Sequence, residues 1–210
     1  MILAIDIFPP ERFGLVTGSR CSSLVPKRSA EVGQRTLAKQ LANEKFFQFY
    51  DEMNTWQTEH GKMAEHFAHE HFIKYHDAFI EKGRWISEGD YGGSTDAEAK
   101  DYGVDYKSPT TLENWLDYMY DGISDKEHNQ CQLYMKLTKK DKWLIGAYLT
   151  ETQKMNDNGL TYPVQEENRM IIIEVVSDKS WVEKFESNLP NVIQIRDHCL
   201  EMLKLKFLTP

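Results

Sequence analysis

Ser94-Thr-Asp-Ala-Glu-Ala-Lys-Asp-Tyr-Gly-Val-Asp-Tyr-Lys-Ser-Pro109 is the stretch from which the fold can be read. Residues 103–107 have strand character, and Pro109 ends the run because proline has no N–H to offer a ladder. Side chains alternate along a strand, so Asp105 and Lys107 leave the same face about 7 Å apart. Tyr106 leaves the other face and turns its backbone carbonyl, a hard oxygen donor, between them. Asp96 lies in the preceding short strand, 94–97, and a turn through 97–103 brings it beside Asp105.

Two carboxylates held within ~4 Å of each other repel by about 4 kcal/mol at an effective dielectric of 20. A cation relieves that repulsion. An all-oxygen ligand set (Asp96, Asp105, the Tyr106 carbonyl) favours Mg²⁺, with Mn²⁺ able to substitute, over zinc. Such an ion polarises a phosphodiester and acidifies a bound water, and Lys107 beside that water can orient it and stabilise transition-state charge. By itself Asp-x-Lys also suits a weak ion pair on an exposed strand. What favours the chemical reading is the order: an acid, a hairpin-length gap, Asp-x-Lys, then Ser-Pro.

Outward from this centre the pattern changes. Upstream, 31–53 reads as a helix with Leu37, Leu41, Phe46, Phe47 and Phe49 on its apolar side. A second helix is expected over 58–82, with Met63, Phe67, Phe72, Tyr75 and Phe79 at helical spacing and Gly83 as its stop. Residues 85–90, 94–97 and 103–107, broken by Gly92, Gly93 and Gly103, read as consecutive strands of a meander. Downstream, Thr110 or Thr111 caps a helix over 112–119, and another helix covers 126–139. Residues 143–149 and 170–176 read as strands, the second (Met-Ile-Ile-Ile-Glu-Val-Val) covered on both faces. A helix over 178–205, interrupted or bent at Pro190, closes the chain. The order gives one domain, 1–210, of the α/β class: a central mixed sheet flanked by helices.

Composition narrows the class. The chain has 210 residues, 40% of them hydrophobic and 28% charged, enough for one substantial core. Cys21, Cys131 and Cys199 are scattered and odd in number, which argues against a disulfide framework or a Cys-x-x-Cys metal site and for a reducing cytoplasm. The opening Met-Ile-Leu-Ala-Ile-Asp lacks the basic leader and apolar length of a signal peptide, and no stretch suits a membrane span. A net charge of −8 argues against coating DNA by electrostatics alone. Basic residues do gather locally, as Arg12, Arg20, Lys27, Arg28 and Arg35, and as Lys136, Lys139, Lys140 and Lys142.

The central stretch resembles the PD-(D/E)xK nuclease motif, with Asp96 as first acid, Thr95 where the proline is expected, and Asp105-Tyr106-Lys107 as the second element. Three further segments resemble the lambda-exonuclease-like phage recombination nucleases. They are Arg12-Phe-Gly-Leu-Val-Thr-Gly-Ser19, with Gly18 where the family has alanine; Gly61-Lys-Met-Ala-Glu65; and Gln130-Cys-Gln-Leu-Tyr134. The resemblance spans residues 12–134 in the family's order. It implies a restriction-endonuclease-like core with Glu65 joining the metal site and Gln130 placing water or a phosphate oxygen. Gln132 is the second choice for that role. Tyr134 shares Gln130's helix face, and Arg12 and Ser19 resemble the family's pair that receives a terminal 5′-phosphate. It further implies 5′→3′ digestion of linear double-stranded DNA ends, leaving 3′ single strands for a recombinase that anneals them. Homotrimeric rings, which retain DNA by enclosure, and the cytoplasm of a phage's bacterial host complete the expectation. Two other readings stand beside it. An endonuclease of repair or restriction would cut covalently closed DNA, and a catalytically inactive binding module would bind no divalent ion.

Other features are read structurally. His60, His66, His69, His71 and His76 lack the His-Glu-x-x-His spacing of a metal site and suit a polar helix face. Phe46, Phe47, Phe49 and Tyr50 suit a core stripe better than base stacking. Trp115, Tyr118 and Tyr120 fit either role. Gly92-Gly93 reads as a turn, with no Gly-Lys-Ser/Thr after it to make a phosphate loop.

Overall fold

The structure is a computed structural model describing residues 10–26, 31–49, 55–150 and 162–208. Lys27, Arg28, Tyr50, the opening residues and the end of the first expected helix lie outside the described residues.

The framework is a five-stranded mixed sheet of β2 (Glu81–Lys82), β5 (Ala97–Glu98), β6 (Gly103–Lys107), β7 (Lys142–Tyr148) and β8 (Met170–Val176), in that spatial order. Only β6 and β7 run parallel, with Asp105 opposite Ile145. A parallel pair needs a long crossover. Here it is supplied by α3 (Leu112–Tyr120) and α4 (Asp125–Thr138). Thr111 caps α3 through the Asn114 N–H, and Ser124 and Glu127 form a reciprocal capping box on α4. A second sheet joins β1 (Val16–Thr17), β4 (Tyr91–Ser94) and β3 (Trp85–Glu88).

Helices cover both faces. Behind β6, Val104 and Tyr106 pack on Ala68 and Phe72 of α2 (Trp56–Tyr75). In front, Trp143, Ile145 and Val175 share a core with α1 (Glu31–Phe47), α4 and α5 (Lys179–Phe207). The α/β expectation of a mixed sheet flanked by helices holds, with a second small sheet added.

Several local expectations are corrected. The helix assigned to 58–82 stops at Tyr75. His76 caps it, Asp77 accepts from the Phe79 N–H in a tight turn, and Glu81–Lys82 pairs with Ala97–Glu98. The expected meander is two sheets, because the chain changes sheet at Thr95–Asp96. Gly92 and Gly93 form part of β4 rather than a turn. A side chain at Gly92 would strike Trp85 at 2.8 Å, and one at Gly93 would strike Tyr134 at 2.5 Å. Strand β8 is an edge strand, and its residues alternate between covered and exposed instead of being enclosed on both faces. The last helix runs unbroken through Pro190, which lies on its exposed side.

The aromatic stripes also differ. Phe47 and Phe49 are exposed and Phe46 is half-buried, touching Phe207 rather than filling the core. On α2, Met63 and Phe67 face solvent, as does Phe79 beyond it (89% exposed), whereas His60, His69 and His71 are buried. Small Ala64 and Ala68 allow α2 to lie close to the sheet, which carries its neighbouring histidines inward. His69 Nδ1 meets the Tyr106 hydroxyl at 3.2 Å, and His71 Nε2 the Glu166 carbonyl at 2.7 Å.

Candidate active site

The alternation of β6 puts Asp105 and Lys107 on the face that α4 covers. Asp105 is buried (1% exposed), and Lys107 Nζ stands 2.5 Å from its Oδ2. Gln130, one turn into α4, closes the group. Its Nε2 donates to Asp105 Oδ1 (3.1 Å) and to the Tyr134 hydroxyl (2.8 Å), and its Oε1 accepts from Lys107 Nζ (3.3 Å). Asp96, at the sheet-changing bend, accepts the Tyr106 N–H through Oδ2 at 2.7 Å. Asp96 is therefore anchored to the backbone of the strand that carries Asp105. Glu65 comes from α2 on the opposite side.

All of these except Tyr134 border one cleft of about 650 Å³, open to solvent, whose further wall is Ser108, Pro109, Tyr118 and Glu127. Gln130 also borders a second, smaller cleft of about 170 Å³ lined by Arg12, Ser19, Trp85 and Tyr134. The Arg12 guanidinium lies 5.8 Å from the Trp85 ring centroid, and Ser19 Oγ is 3.4 Å from Thr17 Oγ1. The structure thus brings Glu65, Asp96, Asp105, Tyr106, Lys107 and Gln130 to one cleft and Arg12, Ser19 and Tyr134 to the next, with Gln130 between.

Gln132 is elsewhere. It is buried, donates to the Val176 carbonyl (2.7 Å) and accepts from the Asp178 N–H (2.8 Å). It ties α4 to the β8–α5 turn and borders neither cleft, because two residues on a helix turn a side chain roughly 200° away. Conversely, Glu127 was missed, and Tyr118, left between core and base stacking, borders the acidic cleft. The Tyr118 hydroxyl donates to the Glu127 carboxylate, which also caps Ser124. The signal was present in Ser124-x-x-Glu127, and in Glu127 standing three residues before Gln130 on the same face.

The electrostatics are strained in one direction. Burial, and then the nearby Asp105 and Glu65 carboxylates, push the Asp96 carboxyl well above its usual range. Burial acts to lower the Lys107 ammonium, yet Asp105 and Asp96 hold it above its usual value. Lys107 is therefore charged, and it supplies part of the positive charge that the acids require. Apart from that ammonium, Asp105 Oδ2 has no hydrogen-bond donor. Among the described residues no three His, Cys, Asp or Glu side chains already form a closed ligand cage. The donor set still fits a divalent cation. It offers hard oxygens only, a buried carboxylate oxygen met by the Lys107 ammonium alone, and a neighbouring carboxylate destabilised by like charge. Glu65, Asp96, Asp105 and the Tyr106 carbonyl are the groups that would hold the ion.

No family model matches the chain, and no curated protein matches it. Solved structures do. An alkaline exonuclease (LHK-Exo) from Laribacter hongkongensis superposes with a TM-score of 0.75 at 15% identity, covering 93% of this chain and 94% of that one. The same enzyme in complex with dAMP gives 0.74 at 15%, over 94% and 95%. A phage-related exonuclease from Haemophilus somnus 129PT gives 0.71 at 15%, over 90% and 96%. The chain has the fold of these exonucleases, a mixed α/β fold with helices on both sides of its main sheet.

Proposed function

We propose that the chain is a divalent-cation-dependent DNA exonuclease, digesting one strand of linear duplex DNA from the 5′ end. The observation that carries this reading is the sharing of Gln130 between a carboxylate–lysine cleft and an adjoining arginine–serine cleft. Phosphodiester hydrolysis needs charge stabilisation beside the scissile phosphate, and end recognition needs a second anion site nearby. The two clefts supply these in adjacent positions. Likeness in fold to exonucleases supports the same class.

In this reading Glu65, Asp96, Asp105 and the Tyr106 carbonyl hold Mg²⁺, or Mn²⁺ in its place. When bound, the ion contributes Lewis acidity toward the phosphodiester and lowers the pKa of water. Lys107 directs its ammonium at the negative charge that grows on the phosphoryl oxygens, in a partly buried setting that strengthens the interaction. Gln130 fixes the Lys107 and Asp105 side chains and keeps a lone pair of Oε1 for water; its amide reaches a phosphate oxygen by exchanging the bond to the Tyr134 hydroxyl. Arg12, steadied over Trp85, and the Ser19 hydroxyl receive the terminal 5′-phosphate, to which a planar guanidinium is suited. The motif resemblance supports assembly into a ring of three copies, which would retain DNA despite the net charge of −8. It also supports delivery of the 3′ strand to an annealing recombinase.

The test is digestion of a 5′-phosphorylated linear duplex and a covalently closed circle with Mg²⁺, using wild type and Lys107→Ala. The expected result is mononucleotide release from the linear DNA alone, lost in Lys107→Ala and in chelator. Cutting of the circle would move the reading to an endonuclease. Undiminished activity in Lys107→Ala would remove the mechanism.

A further inference from the structure

Helix α2 borders two clefts. Thr58, Gly61, Lys62 and Glu65 face the acidic one. Phe67, Glu70, His71 and Lys74 repeat the same spacing and lie roughly 180° around the helix from the first set, at 100° per residue. Together with Tyr148, Thr150 and Glu166 they line a cleft of about 550 Å³ that the nuclease reading does not use.

Two of the residues lining it carry unmet polar atoms. His71 is 4% exposed and Thr150 3%, and neither His71 Nδ1 nor Thr150 Oγ1 has a hydrogen-bond partner. Leaving such a group buried and unpaired costs about 1–3 kcal/mol, so a pair bordering one cleft points to a ligand that satisfies both. The chemistry of that ligand can be narrowed. A carbonyl only accepts, so the 2.7 Å contact between His71 Nε2 and the Glu166 carbonyl puts the proton on Nε2. In the neutral ring Nδ1 is then a bare acceptor, and it requires a donor. The rim carries two carboxylates, Glu70 and Glu166, against one ammonium, Lys74, which Glu166 holds at 2.9 Å. Phe67, half-exposed, and Tyr148, whose ring lies 5.2 Å from that of His71, provide apolar walls.

An anion is repelled by such a rim, and no three-ligand metal cluster exists there among the described residues. A nucleotide could donate from its base, but its phosphates would meet the carboxylates. A guanidinium meets every requirement, having several coplanar N–H donors, a positive charge and a flat face that stacks on aromatic rings. We propose that this cleft is a docking site for an arginine side chain presented by a partner protein. The cleft is larger than one guanidinium, so flanking peptide enters as well. Trp56 and Met63, exposed on the same side of α2 as Phe67, extend the apolar surface for it. The proposal does not depend on the nuclease reading.

The probe is N-acetyl-L-argininamide, followed by NMR at the His71 ring and the Thr150 methyl, with the neutral isostere N-acetyl-L-citrullinamide as control. Saturable shifts are expected with the arginine compound. Affinity should fall about tenfold or more for citrulline, and likewise for the Thr150→Val and Glu70→Gln variants, as for loss of one charged hydrogen bond. DNA digestion by both variants should be unchanged. The proposal is overturned if wild type gives no saturable shift, if citrulline binds equally, or if both variants bind as wild type does. Displacement by a short thymidylate oligonucleotide would reassign the cleft to nucleic acid. Self-association that argininamide dissolves would reassign it to a second copy of the chain.

Discussion

The two faces of strand β6 solve different problems within five residues. On one face Val104 and Tyr106 lie against Ala68 and Phe72, and what matters there is area removed from water, a quantity with little direction. On the other, Asp105 is as enclosed and Lys107 partly so, but both are defined by specific partners: Gln130 at 3.1 and 3.3 Å, and each other at 2.5 Å. The first face is tolerant in geometry and costly in stability when reduced. The second is the reverse. Asp96 and Glu65 bring further carboxylates up to its one ammonium, so removing a carboxylate costs little stability while removing the chemistry.

The largest effect that separates the faces is expected from Asp105→Asn set against Val104→Ala. The first should lower DNA hydrolysis at least about 1000-fold, some 4 kcal/mol of barrier, with little loss in thermal stability. The second should lower stability by about 2 kcal/mol and leave the turnover of folded enzyme near that of wild type. Kinetics and denaturant melts on both variants check this. If both lose stability alike, the contrast fails. A smaller effect is expected in the adjoining cleft. Arg12→Ala should reduce the preference for 5′-phosphate over 5′-hydroxyl ends by about 10- to 100-fold, the worth of one hydrogen bond to a charged group. Equal wild-type rates on the two ends would take that role from Arg12.

The smallest effect is a pH dependence. Burial, Asp105 and Glu65 raise the Asp96 carboxyl, so its protonated form is favoured by folding. Without divalent cation, Asp96→Asn should therefore be more stable than wild type near neutral pH. That difference should shrink as the pH falls toward about 4, where unfolded carboxyls also protonate. Mg²⁺ at neutral pH should raise the melting temperature of wild type more than that of Asp96→Asn. Parallel melting curves across pH would show that Asp96 bears no such strain.

Much of this contrast could be read in the sequence, and the reasons for the rest are specific. Period-two alternation placed Asp105 with Lys107 and separated Tyr106 from them. Helical spacing placed Gln130 with Tyr134 and turned Gln132 elsewhere, so that only the motif resemblance kept Gln132 as second choice. The change of sheet at Thr95–Asp96 could not be read, because β1, β2 and β5 are two residues long and carry no periodicity. Gly92 and Gly93 looked like punctuation because glycine ordinarily is. Their role comes from Trp85 and Tyr134, the second of them some forty positions further on. The apolar run of β8 looked doubly covered because a run does not show which of its edges has a neighbour. The buried histidines of α2 depend on alanines whose smallness matters only once the helix lies on the sheet. The remaining site residues came from motif order rather than from any local pattern, and their convergence on two adjoining clefts is visible only in three dimensions.

Gly83 gives this arrangement a hidden rigidity. Its N–H donates to the Asp96 carbonyl at 2.9 Å, and any side chain there would begin 2.0 Å from the Thr95 carbonyl oxygen. Backbone cannot yield that much without moving the next residue, which is Asp96. In a saturation library scored for activity, this position should accept almost nothing but glycine, although it touches no substrate and has no functional group. Its intolerance would resemble that of an acid or a base, while arising only from how closely one stretch of backbone passes another.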